Sequence, residues 1–427
     1  MSLLIVADDL SGAADCAIGF ANAGRRTVVA LDVAQMAQAV AASGAAVIAL
    51  DTDTRRLAPA EAARRVADAW DSLGGTGRRL YKKIDSTLRG NWVAEVAALQ
   101  PAAGVAIVAP AFPATGRTVR EGRVYVRGVP LDETETWRLE HAGRSADLQP
   151  MLEAAGLCTA RIGVDVLRGE PAALAEAITE CGRNGIEALI VDAETEADLN
   201  TLARVTAALG DACFWVGSGG LARELAALPD LFDSAAAARG EPTRHAGPIL
   251  TLVGSLSAVS VQQCAMLRER TAMPELIVPP AVLRGGADHP ERAEWQAAIG
   301  AQLAGGADLL VRIGRDDAFD PAEGAQLSTA LAALVEPHVA WLAGLIATGG
   351  ETARAMLGAA GIGSLELLSE VEPGVAVARP SDDARRLTIV TKAGAFGSEH
   401  ALYGAWLHLR GDTEPARAGR HHERTLT

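Results

Sequence analysis

The sequence predicts an α/β protein of two domains, each a mostly parallel sheet flanked by helices, with a ligand cleft between them. Three observations lead there. Short apolar runs of strand length alternate with helical stretches along nearly the whole chain, the pattern of parallel strands joined by right-handed crossovers. The chain has 427 residues, too many for one core. Its composition is 49% apolar but only 4% aromatic, with 44 glycines, which suits sheet and helix layers joined by tight backbone turns.

The elements follow in order. Residues 3–7 form an apolar strand that runs into Asp8-Asp9, and Gly12-Ala13-Ala14-Asp15 opens a helix ending near Gly24. Strands are expected at 27–31 and 46–50, the second ending in Asp51-Thr52-Asp53-Thr54-Arg55. Residues 59–73 carry alanine and apolar side chains at helical spacing. A strand at 79–83, a helix at 92–99 and a strand at 104–109 continue the alternation. Residues 113–143 are long, polar and irregular, with Gly116, Gly122 and Gly128 and room for a small hairpin at 124–129; a segment of this length in a compact domain is usually functional or disordered. The pattern resumes at 187–192 and 213–216, then breaks over 233–247, which is small, polar and punctuated by Gly and Pro and reads as a linker. Beyond it come strands at 249–253, 309–313, 345–347 and 387–391, with helices at 259–269, from Ala353, and at 399–409. The apolar helix at 327–335 either packs in the core or pairs two chains as a homodimer.

Composition excludes several classes. A formal charge of −14 argues against a nucleic-acid partner or an anionic membrane surface, both of which demand basic surfaces. The five cysteines are widely spaced with no CxxC or Cys/His cluster, so neither a zinc site nor a disulfide framework is expected. The start reads as a strand rather than a signal peptide, and no apolar run is long enough to span a membrane; a reduced, cytoplasmic protein is expected.

Function is concentrated where strands end. Tyr81-Lys82-Lys83-Ile84-Asp85-Ser86-Thr87-Leu88-Arg89-Gly90-Asn91 puts three cations, a carboxylate and two hydroxyls at one strand end. In open α/β sheets that edge binds ligands. Cations there suit the carboxylate of a small anionic substrate, and an aspartate can accept a proton. In the second half three strands run into glycine-rich loops carrying Ser or Thr: Gly254-Ser255-Leu256-Ser257, Thr348-Gly349-Gly350-Glu351-Thr352 and Lys392-Ala393-Gly394-Ala395-Phe396-Gly397-Ser398. Glycine lets backbone N–H groups approach an anion and the helix that follows adds a favourable dipole, so three such loops point to a nucleotide site. None fits the P-loop pattern. Gly217-Ser218-Gly219-Gly220-Leu221-Ala222 fits a dinucleotide fingerprint, but the acid expected about 20 residues later would fall in the alanine-rich linker. A tight turn or a wall of the cleft is the other reading of that loop.

Taken together, these segments resemble the four-carbon acid sugar kinase family, which includes D-threonate, D-erythronate and 3-oxo-tetronate kinases. The resemblance rests on residues 7–15, residues 82–91, Pro110-Ala111-Phe112-Pro113 with Gly116-Arg117-Thr118, residues 217–222, Gly254-Ser255, residues 348–352 and residues 392–397, in family order across nearly the whole chain. It implies a sugar-acid-binding domain at 1–232, the linker at 233–247 and a nucleotide-binding domain at 248–427. It implies transfer of phosphate from ATP to the terminal hydroxyl of a four-carbon acid, and ATP chemistry in turn calls for Mg²⁺. Carried over by motif, the acid would be contacted by Asp8 or Asp9, Arg55, Lys83, Ile84, Asp85 and Ser86; the strand-end cations Lys82 and Arg89 are expected beside them. ATP would be contacted by Ser255, Thr348, Gly349, Gly350, Glu351 and Gly394. One departure stands out: after Pro130-Leu131-Asp132-Glu133-Thr134 the family runs into an Asp-Pro segment, whereas this chain continues through Trp137 to Arg144.

In that scheme Lys83 and Arg89, with Arg55, hold the acid, while Asp9 or Asp85 orients the attacking hydroxyl and accepts its proton. Each aspartate also has a plainer explanation. Asp8 or Asp9 could simply cap the first helix, and Asp85 could simply pair with Lys82 or Arg89. Three rival functions remain: an NAD(P)-dependent sugar-acid dehydrogenase resting on residues 217–222, a non-catalytic sugar-acid sensor, and an aldolase with Lys82 or Lys83 as a Schiff-base lysine, which would leave the glycine loops idle.

Overall fold

The computed structural model describes residues 2–31, 44–74, 77–135, 137–138, 143–232, 246–318, 320, 323–381 and 387–411. The amino-terminal half runs β1 (Ser2–Ala7), α1 (Leu10–Asn22), β2 (Thr27–Ala30), β3 (Val47–Asp51), α2 (Pro59–Leu73), β4 (Arg78–Lys83), α3 (Trp92–Ala103) and β5 (Val105–Ala109). A separate three-stranded antiparallel sheet follows: β6 (Arg117–Arg120), β7 (Arg123–Val126) and β8 (Val129–Pro130). This contains the expected small hairpin, with Arg127 and Gly128 both at positive φ in its tip. The half closes with β9 (Thr159–Ile162), α4 (Pro171–Arg183), β10 (Ala188–Val191), α5 (Glu196–Ala208), β11 (Cys213–Gly217) and α6 (Gly219–Ala226).

The carboxyl-terminal half runs β12 (Ile249–Val253), α7 (Ala258–Thr271), β13 (Glu275–Val278), α8 (Arg292–Ala304), β14 (Leu309–Ile313) and α9 (Gly324–Val335). It continues through β15 (Gly344–Thr348), α10 (Gly350–Ala359), β16 (Ser364–Glu372), β17 (Val375–Pro380), β18 (Thr388–Lys392) and α11 (Ala401–Arg410).

The strands make one 15-stranded sheet in the order β13-β14-β12-β15-β18-β17-β16-β2-β3-β1-β4-β11-β5-β10-β9. The eight strands from β2 to β9 pair in parallel, as do the five from β13 to β18. Each half is therefore the parallel α/β unit that the alternation predicts. The antiparallel hairpin β16–β17 joins them, pairing with β18 on one side and with β2 on the other through Ser364, Leu365 and Glu366. The expected linker falls almost wholly at 233–245, outside the described residues.

The local reasons are ordinary ones. β1 is buried on both faces from Leu3 to Ala7, as a central parallel strand must be. Asp9 caps α1 by accepting from Gly12 N–H at 3.0 Å. α2 starts with Pro59 in its first turn and buries Ala62, Val66, Ala69 and Leu73 at helical spacing. In α9 the side chains of Leu327, Leu331, Leu334 and Val335 are buried within the chain, so this apolar run packs in the core.

Candidate active site

The acid-rich loops of the amino-terminal half converge at the carboxyl ends of β1, β3 and β4. Arg55 is the centre. Its guanidinium donates to both oxygens of Asp8, at 2.8 and 2.9 Å, and to Asp9 Oδ1 at 2.9 Å, and it lies 3.7 Å from Asp85 Oδ2. Burial pushes the Asp8 carboxyl up, but Arg55, with Lys82 and Lys83 behind it, outweighs this and holds it below its ordinary range. Gly90 has a positive φ of 81°, and a Cβ there would lie 2.7 Å from Asp8 Oδ2, so glycine is required to close the loop on this carboxylate.

Asp85 is more heavily tied. Its Oδ1 accepts from the Thr87 N–H at 2.8 Å and the Thr87 hydroxyl at 2.5 Å, and its Oδ2 accepts from Arg89 at 2.6 Å. Burial alone would raise its pKa; Arg89 and Arg55 override that and hold it well below the ordinary carboxylate range. Such a carboxylate is a weak base and a firm anchor for two guanidiniums. Asp9 spends Oδ1 on the α1 cap and on Arg55, while Oδ2 turns toward the other half of the molecule.

Adjacent lysines of β4 part company. Lys83 reaches into the cleft, where its Nζ donates to the Ile84 carbonyl at 3.0 Å. Lys82 points through the opposite face of the sheet and is fully buried against Glu95 of α3, with Nζ 2.7 Å from Oε2. Its expected place on the substrate is not where the structure puts it; strand alternation sends neighbouring side chains to opposite faces. Ile84 likewise buries its side chain in the core, leaving its backbone near the site. Ser86 lines the cleft with Asp9, Arg55, Lys83, Asp85 and Arg89.

On the other side, the three glycine loops follow β12, β15 and β18, which are neighbours in parallel register. They knit into one surface. Gly254 N–H donates to the Thr348 carbonyl at 3.4 Å and Gly349 N–H to the Lys392 carbonyl at 2.9 Å. The Gly394 carbonyl collects the Ser260 hydroxyl at 2.7 Å, the Ser257 hydroxyl at 3.1 Å and Lys392 Nζ at 3.1 Å. Burial draws the Lys392 ammonium down to about 8. The Thr348 hydroxyl is buried with no hydrogen-bond partner among the described residues. Among those residues there is no cluster of three or more His, Cys, Asp and Glu suited to a metal ion.

The two surfaces meet. A Cβ on Gly350 would lie 3.0 Å from Ser11 Oγ and 3.2 Å from Asp9 Oδ2, so the second loop rests on the start of α1. The meeting is fastened by polar side chains: Arg354 of α10 donates to the buried Asp51 carboxyl and pairs, at 3.2 Å, with Asp53, and Glu351 pairs with Arg56 at 2.7 Å. A second bridge runs from Arg223 of α6 to Glu370 of β16 at 2.8 Å, with Asp15 at 3.5 Å. Gly374, Ala393 and Phe396 of the carboxyl-terminal half complete the cleft wall.

Sequence patterns had not singled out Ser11, Asp15, Phe112, Gly374 or Phe396 as site residues, though all but Gly374 fall inside the segments 7–15, 110–113 and 392–397. Gly374 reaches the site because β16 and β17 turn back there and Phe396 packs on the turn, 3.1 Å from where its Cβ would be. In residues 217–222, Ser218 and Gly219 form part of the wall. The glycines there serve close packing: a Cβ on Gly217 would meet Tyr81 Oη at 2.7 Å, and one on Gly220 the Ala111 carbonyl at 2.5 Å. Trp137 is buried, its indole N–H donating to the Arg144 carbonyl at 2.7 Å; residues 136 and 139–142 are outside the described set.

Residues 3–225 match the family model of a sugar-binding N-terminal domain, and residues 250–402 that of a nucleotide-binding C-terminal domain. A D-threonate kinase of Cupriavidus necator is 55% identical over 97% of this chain and 100% of its own length. A 3-oxo-tetronate kinase of Methylobacterium radiotolerans is 33% identical over 93% of this chain and 96% of its own. A crystal structure from Salmonella typhimurium shares the fold at a TM-score of 0.78 and 24% identity, covering 95% of this chain and 98% of that one.

Proposed function

Because the chain belongs to the four-carbon acid sugar kinase family, we propose that it transfers the γ-phosphoryl group of ATP to the terminal, C4 hydroxyl of D-threonate. Kinase chemistry on a sugar-acid alcohol is the family's activity; the nucleotide, the particular acid and the position are this proposal. D-threonate is favoured because relatives bearing that name are 55% and 38% identical. The observation that carries the reading is the meeting at Gly350, where the joined loops of β12, β15 and β18 touch Asp9 at the mouth of a pocket lined by Lys83, Arg55 and Arg89.

The roles follow from the geometry. Lys83 and Arg89 hold the carboxylate and hydroxyls of the acid, and Asp85 fixes Arg89 and Arg55 in place. Asp9 accepts the C4 hydroxyl proton: its Oδ2 faces the nucleotide loop, whereas both oxygens of Asp85 are already engaged. The backbone of Thr348, Gly349, Gly350 and Gly394, with the Ser255 hydroxyl and Glu351, lines the ATP site. Mg²⁺ bound with the nucleotide would supply charge neutralisation on the phosphates; among the described residues no acidic cluster is built to hold it.

The test is ADP release from Mg-ATP, followed by a coupled assay across D-threonate, both erythronates, L-threonate and 3-oxo-tetronates. Turnover greatest with D-threonate and a 4-phosphate product are expected. A product phosphorylated elsewhere, or preference for another acid, refutes the corresponding part.

A further inference from the structure

Helix α1 begins in the acid pocket, and its second residue has no assigned task. Ser11 is only 9% exposed, and its Oγ has no hydrogen-bond partner among the described residues. A buried hydroxyl left unpaired is costly, and such atoms call for an explanation. The Ser11 side chain lines the cleft. It lies 3.0 Å from the place a Gly350 Cβ would take, beside Asp9 Oδ2 at 3.2 Å from the same point. One residue further on, Lys83 Nζ lies 3.1 Å from the corresponding position on Gly12. The hydroxyl thus stands between the carboxylate that faces the acid and the loop that faces the nucleotide. It has a cation nearby and belongs to the first turn of a 13-residue helix.

We propose that this first turn of α1 receives the phosphoryl group in flight, with the Ser11 hydroxyl donating a hydrogen bond to one of its non-bridging oxygens. The inference rests on the kinase reading above and names a catalytic residue for it. The step balances as follows. The C4 oxygen forms a bond to the γ-phosphorus while the bond from that phosphorus to the bridging oxygen of ADP breaks. The electron pair of the broken bond leaves with ADP, and the C4 hydroxyl proton passes to Asp9. Ser11 keeps its proton throughout and forms no covalent intermediate. Charge spreads over the three equatorial oxygens of the phosphoryl group in such transition states. A donor fixed where that charge collects works without reorganising, as oxyanion-hole donors do, and the helix dipole acts in the same sense. The Asp9 carboxylate does not cancel the site, because Oδ1 is held by Arg55 and by the Gly12 N–H.

The experiment compares Ser11→Ala, Ser11→Thr and Ser11→Val in steady-state kinetics on the full chain. Removing one oxyanion-type donor is expected to lower kcat about 10²–10³-fold, with the KM for D-threonate and for ATP within about threefold. Ser11→Thr retains most of kcat and Ser11→Val, which has the same shape without the hydroxyl, does not; this pair also decides the matter if Ser11→Ala fails to fold. A second readout is binding of Mg-ADP with aluminium fluoride and D-threonate, which mimics the transferring group. Ser11→Ala and Ser11→Val should weaken that ternary complex while binding of ADP alone and of D-threonate alone is unchanged. A kcat indifferent to loss of the hydroxyl, or a loss confined to KM, overturns the proposal while the kinase reading stands. No turnover by the unmutated chain with any four-carbon acid overturns both.

Discussion

Replacing Lys82 by Met should wreck stability and spare substrate binding, although Lys82 lies one residue from a cation of the active site. The Lys82 ammonium and the Glu95 carboxylate are both 0% exposed and 2.7 Å apart, and the Thr54 hydroxyl donates to the other Glu95 oxygen. Removing the lysine strands a carboxylate in the core between β4 and α3. Breaking a buried pair from one side costs about 3–5 kcal/mol, whereas replacing both partners by apolar groups of similar volume is close to neutral. In a domain of this size each kcal/mol moves the midpoint by about 2–4 °C, so Lys82→Met should melt on the order of 6–20 °C lower. Calorimetry on Lys82→Met, Glu95→Leu and the double variant provides the cycle: two large losses singly, and most of the stability recovered together. Kinetics at a temperature where all four proteins are folded should show the D-threonate KM within about threefold of the parent. A Lys82→Met protein that melts like the parent but has lost acid affinity tenfold or more would put Lys82 on the substrate and refute the reasoning.

Four further outcomes are expected. Asp9→Asn keeps the helix cap, since Asn caps as well as Asp, but loses the proton acceptor, so kcat should fall by about 10²–10⁴. Asp85→Asn should instead act mainly on the acid KM by loosening Arg89 and Arg55, and the reverse pattern would exchange the two assignments. In Gly394→Ala the new Cβ would fall 2.2 Å from Ser255 Oγ and 2.6 Å from its Cβ, forcing the loop apart. Overpacking of this kind costs about 1–3 kcal/mol, so titration calorimetry should show ADP binding about tenfold weaker or worse with acid binding retained, and unaltered ADP binding would remove Gly394 from the nucleotide site. Burial pushes the Asp51 carboxyl up from 3.8 to about 7, with Arg354 offsetting only part of the rise. The folded chain therefore holds a proton there that the unfolded chain has released, and stability falls as pH rises from about 4 to 7. Asp51→Asn should remove that component of the slope in thermal melts across the window; parallel slopes would show that Asp51 titrates normally.

Much of the frame was legible in the chain. The alternation of apolar runs and helices locates the strands that carry the site, because a parallel strand buried on both faces must be apolar and short. The Asp8-Asp9, Lys83 to Arg89 and glycine-loop residues stand out because charged and glycine-rich segments recur at the ends of several strands. The hairpin β16–β17 carries a weaker signal: the apolar–polar alternation of Ser364–Glu372 breaks at Leu367-Leu368, and the strand's value lies in pairing with β2 far away in sequence. By itself, then, the sequence determined the α/β class, the two units and the loops at the carboxyl ends of the strands, since these depend on local periodicity and residue type. Only the tertiary structure decided that Lys82 serves Glu95 while Lys83 serves the cleft. It also decided that Gly350 rests on Ser11 and Asp9, and that Gly374 and Phe396 wall a pocket built mainly by the other half. The contacts of Gly350, Gly374 and Phe396 with the amino-terminal half join segments hundreds of residues apart, set by strand register and by the hairpin that links the two halves of the sheet, and no local pattern encodes them.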